Sequence, residues 1–194
     1  MKPRVAILIS GRGSNMEALI KAAQNPAFPA EIALVLSNRP DAAGLEIARA
    51  LGVEALAVPA KPYGKDREAH ERAIHAMLVE RDIQLVCLAG YMRLLTPWLV
   101  KSWAGRMLNI HPSLLPAFPG LDTHARALAA GVTAHGCTVH LVTEGMDEGP
   151  ILGQARVPVL PDDDEARLAA RVLAQEHVLY PEILAKIAQK KSAN

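Results

Sequence analysis

The sequence predicts an α/β protein: a doubly wound, mostly parallel sheet with an antiparallel or mixed edge. Two observations lead there. The first half alternates short apolar runs with segments of helical periodicity, and repeated strand–helix units of this length imply parallel strands joined by crossovers. The second half breaks that alternation with two neighbouring strand-like runs, Gly136 to Thr143 and Ile151 to Val159.

Val5 to Ile9 is a continuous apolar run, as expected of a strand covered on both faces. After the turn Ser10-Gly-Arg-Gly-Ser-Asn15, Met16, Leu19, Ile20 and Ala23 recur at helical spacing. Ile32 to Leu36 and Val53 to Val58 read as strands on either side of a helix, Ala42 to Leu51, that Gly52 stops. Asp66 to Arg81 is a long amphipathic helix and Ile83 to Ala89 a fourth strand. Thr96 is expected to cap a short helix that Pro97 opens, ahead of a fifth strand from Arg106 to His111. Thr123 to Ala130 is helical, and Asp162 to Lys190 is mostly helix with Pro181 as a kink or boundary. No repeat, low-complexity tract or linker interrupts the chain, so residues 1–194 are expected to form a single domain.

Composition narrows the partners. The formal net charge is +1, from 21 basic and 20 acidic residues with no basic block, which argues against nucleic acid or a membrane surface and for small-molecule substrates. Val5 to Ile9 is too short for a secretory core, and no run approaches the ~20 apolar residues that span a bilayer. Cys87 and Cys137 lie in apolar runs and read as buried, reduced thiols. The expectation is a cytoplasmic protein.

The chemistry centres on Asn109-Ile-His-Pro-Ser-Leu-Leu-Pro116. Alternate side chains of a strand share a face, so Asn109 and His111 can converge on one small group while Leu108 and Ile110 face the core. Pro112 ends the strand, and polar residues at the C-terminal end of a parallel strand lie where such sheets bind ligands. The turn Gly11-Arg-Gly-Ser-Asn15 joins a strand to a helix and suits an anion, with Ser14 and Asn15 as extra donors. It is neither a dinucleotide fingerprint nor a Walker loop, because the third glycine and the Gly-Lys-Ser/Thr run are missing. Read plainly, it is a tight turn with Ser14 or Asn15 as helix cap. His135, Cys137 and His140 invite a metal reading that strand parity resists, since His140 falls on the face opposite the other two. No metal is expected. Thr143 to Gly149 reads as a solvated hairpin loop that can also carry a carboxylate to His111. Glu176 projects from the apolar face of the last helix and needs a partner, either a ligand or a basic residue such as Arg171.

These motifs together resemble the phosphoribosylglycinamide formyltransferases, over Val5 to about Pro181. Leu88-Ala-Gly-Tyr-Met-Arg-Leu-Leu95, Pro119-Gly-Leu-Asp-Thr-His124 and Gln175-Glu-His-x-x-Tyr-Pro181 extend the match. The resemblance implies a formyltransferase-like fold and transfer of a formyl group from 10-formyltetrahydrofolate to glycinamide ribonucleotide in purine synthesis. It implies Asn109, His111 and Asp147 as the catalytic trio. Gly13, Ser14 and Asn15 would hold the substrate phosphate, with Gln175 and Glu176 nearby and Glu176 on the ribose. Arg67, Met92, Arg93, Leu94, Leu95, Asn109 and the loop Thr143, Glu144, Gly145, Met146, Asp147 would hold the folate. A monomer or homodimer is implied. The chain departs from the resemblance at Arg12, Asp122, Glu148 and Leu173. Two sibling activities share parts of the pattern. The tRNA formyltransferases add a nucleic-acid-binding domain that is not expected here, and the deformylases release formate without an amine. A non-catalytic phosphate-binding module would explain the glycine turn but not Asn109, His111 and Glu176.

Overall fold

The computed structural model describes residues 1–192. Thirteen regular elements follow in order, and the first three strands alternate with helices: β1 (Arg4–Ile9), α1 (Ser14–Ala23), β2 (Glu31–Ser37), α2 (Ala43–Ala50) and β3 (Glu54–Ala57). Then come α3 (Arg67–Glu80), β4 (Leu85–Leu88), α4 (Pro97–Ser102), β5 (Met107–His111) and α5 (Thr123–Ala129). The chain closes with β6 (Ala134–Leu141), β7 (Ile151–Pro158) and α6 (Glu165–Ser192). They build one seven-stranded sheet in the order β3-β2-β1-β4-β5-β6-β7. The first five strands run parallel, and β6 and β7 add antiparallel pairs at one edge, as the sequence predicts.

Strand order reverses between β1 and β4, which opens a crevice at their C-terminal ends. Alternation along β1 feeds two cores. Val5, Ile7 and Ile9 pack with Met16 and Leu19 of α1 and with Val172 and Tyr180 of α6. Ala6 and Leu8 pack with Ile74 and Leu78 of α3 and with Leu99 of α4. Full burial of each large aliphatic side chain is worth roughly 1.5–3 kcal/mol, so β1 is the strand the layers depend on.

Two expectations need correction. A single helix runs through Pro181, which marks no boundary. A helical proline costs about 3 kcal/mol, and the residues on either side offset it: Val172, Tyr180, Ile183, Leu184 and Ala188 are all buried against the sheet. The Tyr180 hydroxyl also donates to the Leu88 and Leu108 carbonyls at 3.0 and 3.2 Å, pinning α6 across β4 and β5. Thr96 occupies the cap position of α4 but makes no side-chain cap; its hydroxyl is drawn instead to the Glu71 carboxylate of α3.

Among the described residues, no helix is long and apolar enough to cross a membrane. Where β6 hands over to β7, a side chain on Gly149 would overlap the Leu141 carbonyl. Gly149→Ala is therefore expected to pry the hairpin apart at its loop end and cost about 1–3 kcal/mol, as other overpacked sites do. Denaturant unfolding of the two proteins measures this, and equal midpoints would contradict it.

Candidate active site

Antiparallel pairing of β5 with β6 sets Asn109 opposite His140 and His111 opposite Thr138. The Asn109 Nδ2 lies 3.2 Å from His140 Nε2, and His140 Nδ1 lies 2.9 Å from the Leu141 carbonyl. A carbonyl only accepts, so Nδ1 carries the proton and Nε2 offers its lone pair to the Asn109 amide. Burial agrees, holding the His140 pKa below its ordinary value against the opposing pulls of the Leu141 bond and Asp147. The 3.7 Å approach of Asp147 Oδ1 to His140 Nε2 is thus proximity and not an ion pair. His140 fixes which way the Asn109 amide points and leaves its second N–H for a ligand.

His111 is held from two sides. Its Nε2 donates to the Phe118 carbonyl at 2.9 Å, and its Nδ1 faces Asp147 Oδ2 at 3.5 Å. Asp147 Oδ2 also accepts from the Gly120 amide at 2.9 Å. One carboxylate therefore joins the loop after β5 to the loop after β6. The loop is solvated at Thr143, Glu144, Met146 and Glu148, as expected, while the Asp147 side chain turns inward and is only 11% exposed. Phe118 and Asp147 have φ of 53° and 56°, the left-handed region that bulky residues rarely enter. Each such residue costs on the order of 1–3 kcal/mol and persists only when its surroundings dictate it. Those surroundings centre on buried Thr138. Its hydroxyl donates to the Ser113 carbonyl at 2.7 Å and accepts from the Leu115 amide and Gln154 Nε2 at 3.1 and 2.9 Å.

The glycine turn lies across the crevice. Gly13, at φ 69°, is the cap residue of α1, in place of Ser14 or Asn15, and no side chain caps the helix. Its leading amides are left for an anion or solvent. Asn15 is turned inward: its Nδ2 donates to Glu176 Oε2 at 2.6 Å, and its Oδ1 is buried without a partner. Glu176 is 7% exposed and does not pair with Arg171, which instead grips Asp163 at 2.6 and 2.8 Å. Burial raises the Glu176 pKa, against the lowering effects of the Asn15 bond and of His111. His111 therefore lies within electrostatic reach of Glu176. Gln175 is half-buried beside Glu176 on α6.

Apart from Asn109 in β5 and Arg67 at the start of α3, the residues expected to hold folate fall on loops after β4 and β6, the two neighbours of β5. Met92 N–H donates to Ser10 Oγ at 2.8 Å and Arg67 Nη1 to the Leu94 carbonyl at 3.3 Å, leaving the Met92 and Leu94 side chains exposed. Arg93 and Leu95 are half-buried. On the other rim, Glu144 lies 3.4 Å from Lys101 Nζ, and Thr143, Gly145 and Met146 lead to Asp147. His135 lies edge-on to Phe118 and His124, and burial, with His124 and His111 nearby, pushes its pKa down to about 4. Among the described residues, no group of three or more His, Cys, Asp or Glu is placed to hold a metal ion.

Known proteins share this fold. The chain matches the formyl transferase family over residues 3–184. The chain belongs to the formyl transferase family. It is 44% identical to the phosphoribosylglycinamide formyltransferase of Escherichia coli (strain K12) over 180 residues, 93% of this chain and 84% of that protein. It is 45% identical to the trifunctional purine biosynthetic protein adenosine-3 of Drosophila melanogaster over 188 residues, and there it spans only 14% of the relative's length. The crystal structure of phosphoribosylglycinamide formyltransferase from Brucella melitensis superposes with a TM-score of 0.93 at 57% identity, covering 97% of this chain and 96% of that one. Among the side chains gathered around Asn109, His140 is the one that sequence reasoning missed. Its parity with Asn109 has meaning only once β6 is known to pair antiparallel with β5.

A raised Glu176 pKa means that the folded state binds this proton more tightly than the unfolded state. That contribution is fully present below the ordinary value of 4.5 and is lost as pH rises through the folded value. Glu176→Gln keeps an acceptor for Asn15 and removes the buried charge. It is expected to melt higher than wild type at about pH 8, with the advantage gone by about pH 4. Thermal unfolding across pH checks this, and a pH-independent difference would refute the buried-charge account.

Proposed function

We propose that this chain transfers a formyl group from 10-formyltetrahydrofolate to the amine of glycinamide ribonucleotide, as a step of purine synthesis. One observation carries the reading: His111 and Asp147 meet at the end of β5 on the face that bears Asn109, and Glu176, on which His111 acts, is bonded to Asn15 at the uncapped N-terminus of α1. The uncapped amides of Gly13 to Asn15 suit the phosphate of the acceptor, and Glu176 suits its ribose hydroxyls. The loops at 92–95 and 143–147 suit the folate.

In this mechanism the amine nitrogen attacks the formyl carbon. A tetrahedral species forms, and its oxygen gains negative charge. The free N–H of Asn109 donates to that oxygen, and His111 does so once its Nε2–H leaves the Phe118 carbonyl. Asp147 takes up the proton lost by the amine and passes it on as the bond between the formyl carbon and the folate nitrogen breaks. The folate nitrogen leaves protonated, so no metal and no covalent nucleophile is needed. Cys87 and Cys137 stay out of the chemistry, since burial pushes both thiols up to about 12.

The test is formylation of glycinamide ribonucleotide by purified protein with 10-formyltetrahydrofolate, run beside a control without amine. Formate release at the same rate in the control would mark a hydrolase and overturn the proposal. Within that assay His111→Ala should lose roughly 10²–10⁴ in turnover, the usual contribution of a positioned acid or base. Asn109→Ala should lose about 10²–10³, as other oxyanion donors do. Ligand dissociation constants should move little in His111→Ala, and near-normal turnover in either variant would remove that residue from the mechanism.

A further inference from the structure

Glu71 is a charged residue outside the trio that the mechanism above does not use. It lies on α3, is 3% exposed, and among the described residues has no cation within ion-pairing distance. A buried carboxylate without a cation persists only if hydrogen bonds replace its lost hydration. Both oxygens find them at one residue: Oε1 accepts the Thr96 amide at 2.8 Å, and Oε2 accepts the Thr96 hydroxyl.

The arrangement is a capping box divided between two helices. In the ordinary box, a glutamate three residues into a helix accepts the amide of its own cap residue, and the cap hydroxyl serves that same helix. Here the glutamate comes from α3 and the cap residue belongs to α4, whose own cap hydrogen bond is given up. α4 does not require this for anchorage, because Leu99, Val100 and Trp103 are already buried. What the contact does fix is the end of the irregular segment between β4 and α4. Beyond the Ala89 amide on the Leu8 carbonyl, that segment is held at three points: Met92 N–H on Ser10, the Leu94 carbonyl on Arg67, and Thr96 on Glu71. Of these anchors only Glu71 is both buried and charged.

We propose that Glu71, through Thr96, is the positioning residue that sets the folate-binding loop from Tyr91 to Leu95. This rests on the function proposed above. Thr96→Val keeps the amide and the branched shape but removes the hydroxyl donor, and Thr96→Ser restores it. Glu71→Gln replaces one accepting oxygen with a donor. Loss of one partner of such a buried bond is expected to weaken binding of 10-formyltetrahydrofolate about tenfold in Thr96→Val and in Glu71→Gln. Thr96→Ser should bind like wild type, and affinity for glycinamide ribonucleotide should stay within about twofold throughout. Calorimetric titration of each ligand, on variants shown to be folded by thermal unfolding, reads both constants. Unchanged folate affinity in Thr96→Val overturns the inference even if Glu71→Gln fails to fold, and so does an equal loss of affinity for both ligands. A wild-type protein that binds no folate would overturn the functional reading first, and this inference with it.

Discussion

The site depends on one imidazole held between two acceptors. His111 gives its Nε2 proton to the Phe118 carbonyl and presents Nδ1 to Asp147. For both oxygens to arrive, two loops must bend where bulky or charged residues resist bending, at Phe118 and Asp147. The strain is sustained by the Thr138 hub on one side and by the Gly120–Asp147 bond on the other. A strained loop that is overdetermined by its supports returns to one geometry after each ligand leaves, which is what a preorganised donor set requires.

A second constraint is charge. Glu176 is buried on α6, and among the described residues its carboxylate is held by a single amide from Asn15. Burial works against its ionisation. Placing such a group between α1 and α6 lowers stability for the sake of a hydrogen-bond acceptor in a dry wall, a cost common at binding sites. Asn15 has its own unsatisfied oxygen there, so the pair is incomplete without a ligand.

The long helix α6 brings these constraints into one frame. It carries Glu176 on the buried face, pins β4 and β5 through Tyr180, and continues past Pro181 because its contacts extend along its length. The strands that deliver Asn109 and the wall that faces it are thus set by the same element.

The parallel core was legible in the sequence because buried strands are continuous apolar runs and their crossover helices keep a 3.6-residue period, both local signals. The shared face of Asn109 and His111 was legible for the same reason, since strand parity is a property of the chain alone. The approach of Asp147 was not, because it depends on a loop 36 residues away in sequence folding back under strain. Nor were the partners of Glu176, Thr96 and His140. Each is a polar side chain whose acceptor or donor sits on another element, and periodicity carries no information about which elements pack together. The sequence by itself determined the sheet, its direction along the first five strands and the face that bears the chemistry. Only the tertiary structure decided which buried charge meets which hydrogen bond, because those pairings answer to desolvation across elements and not to any local pattern.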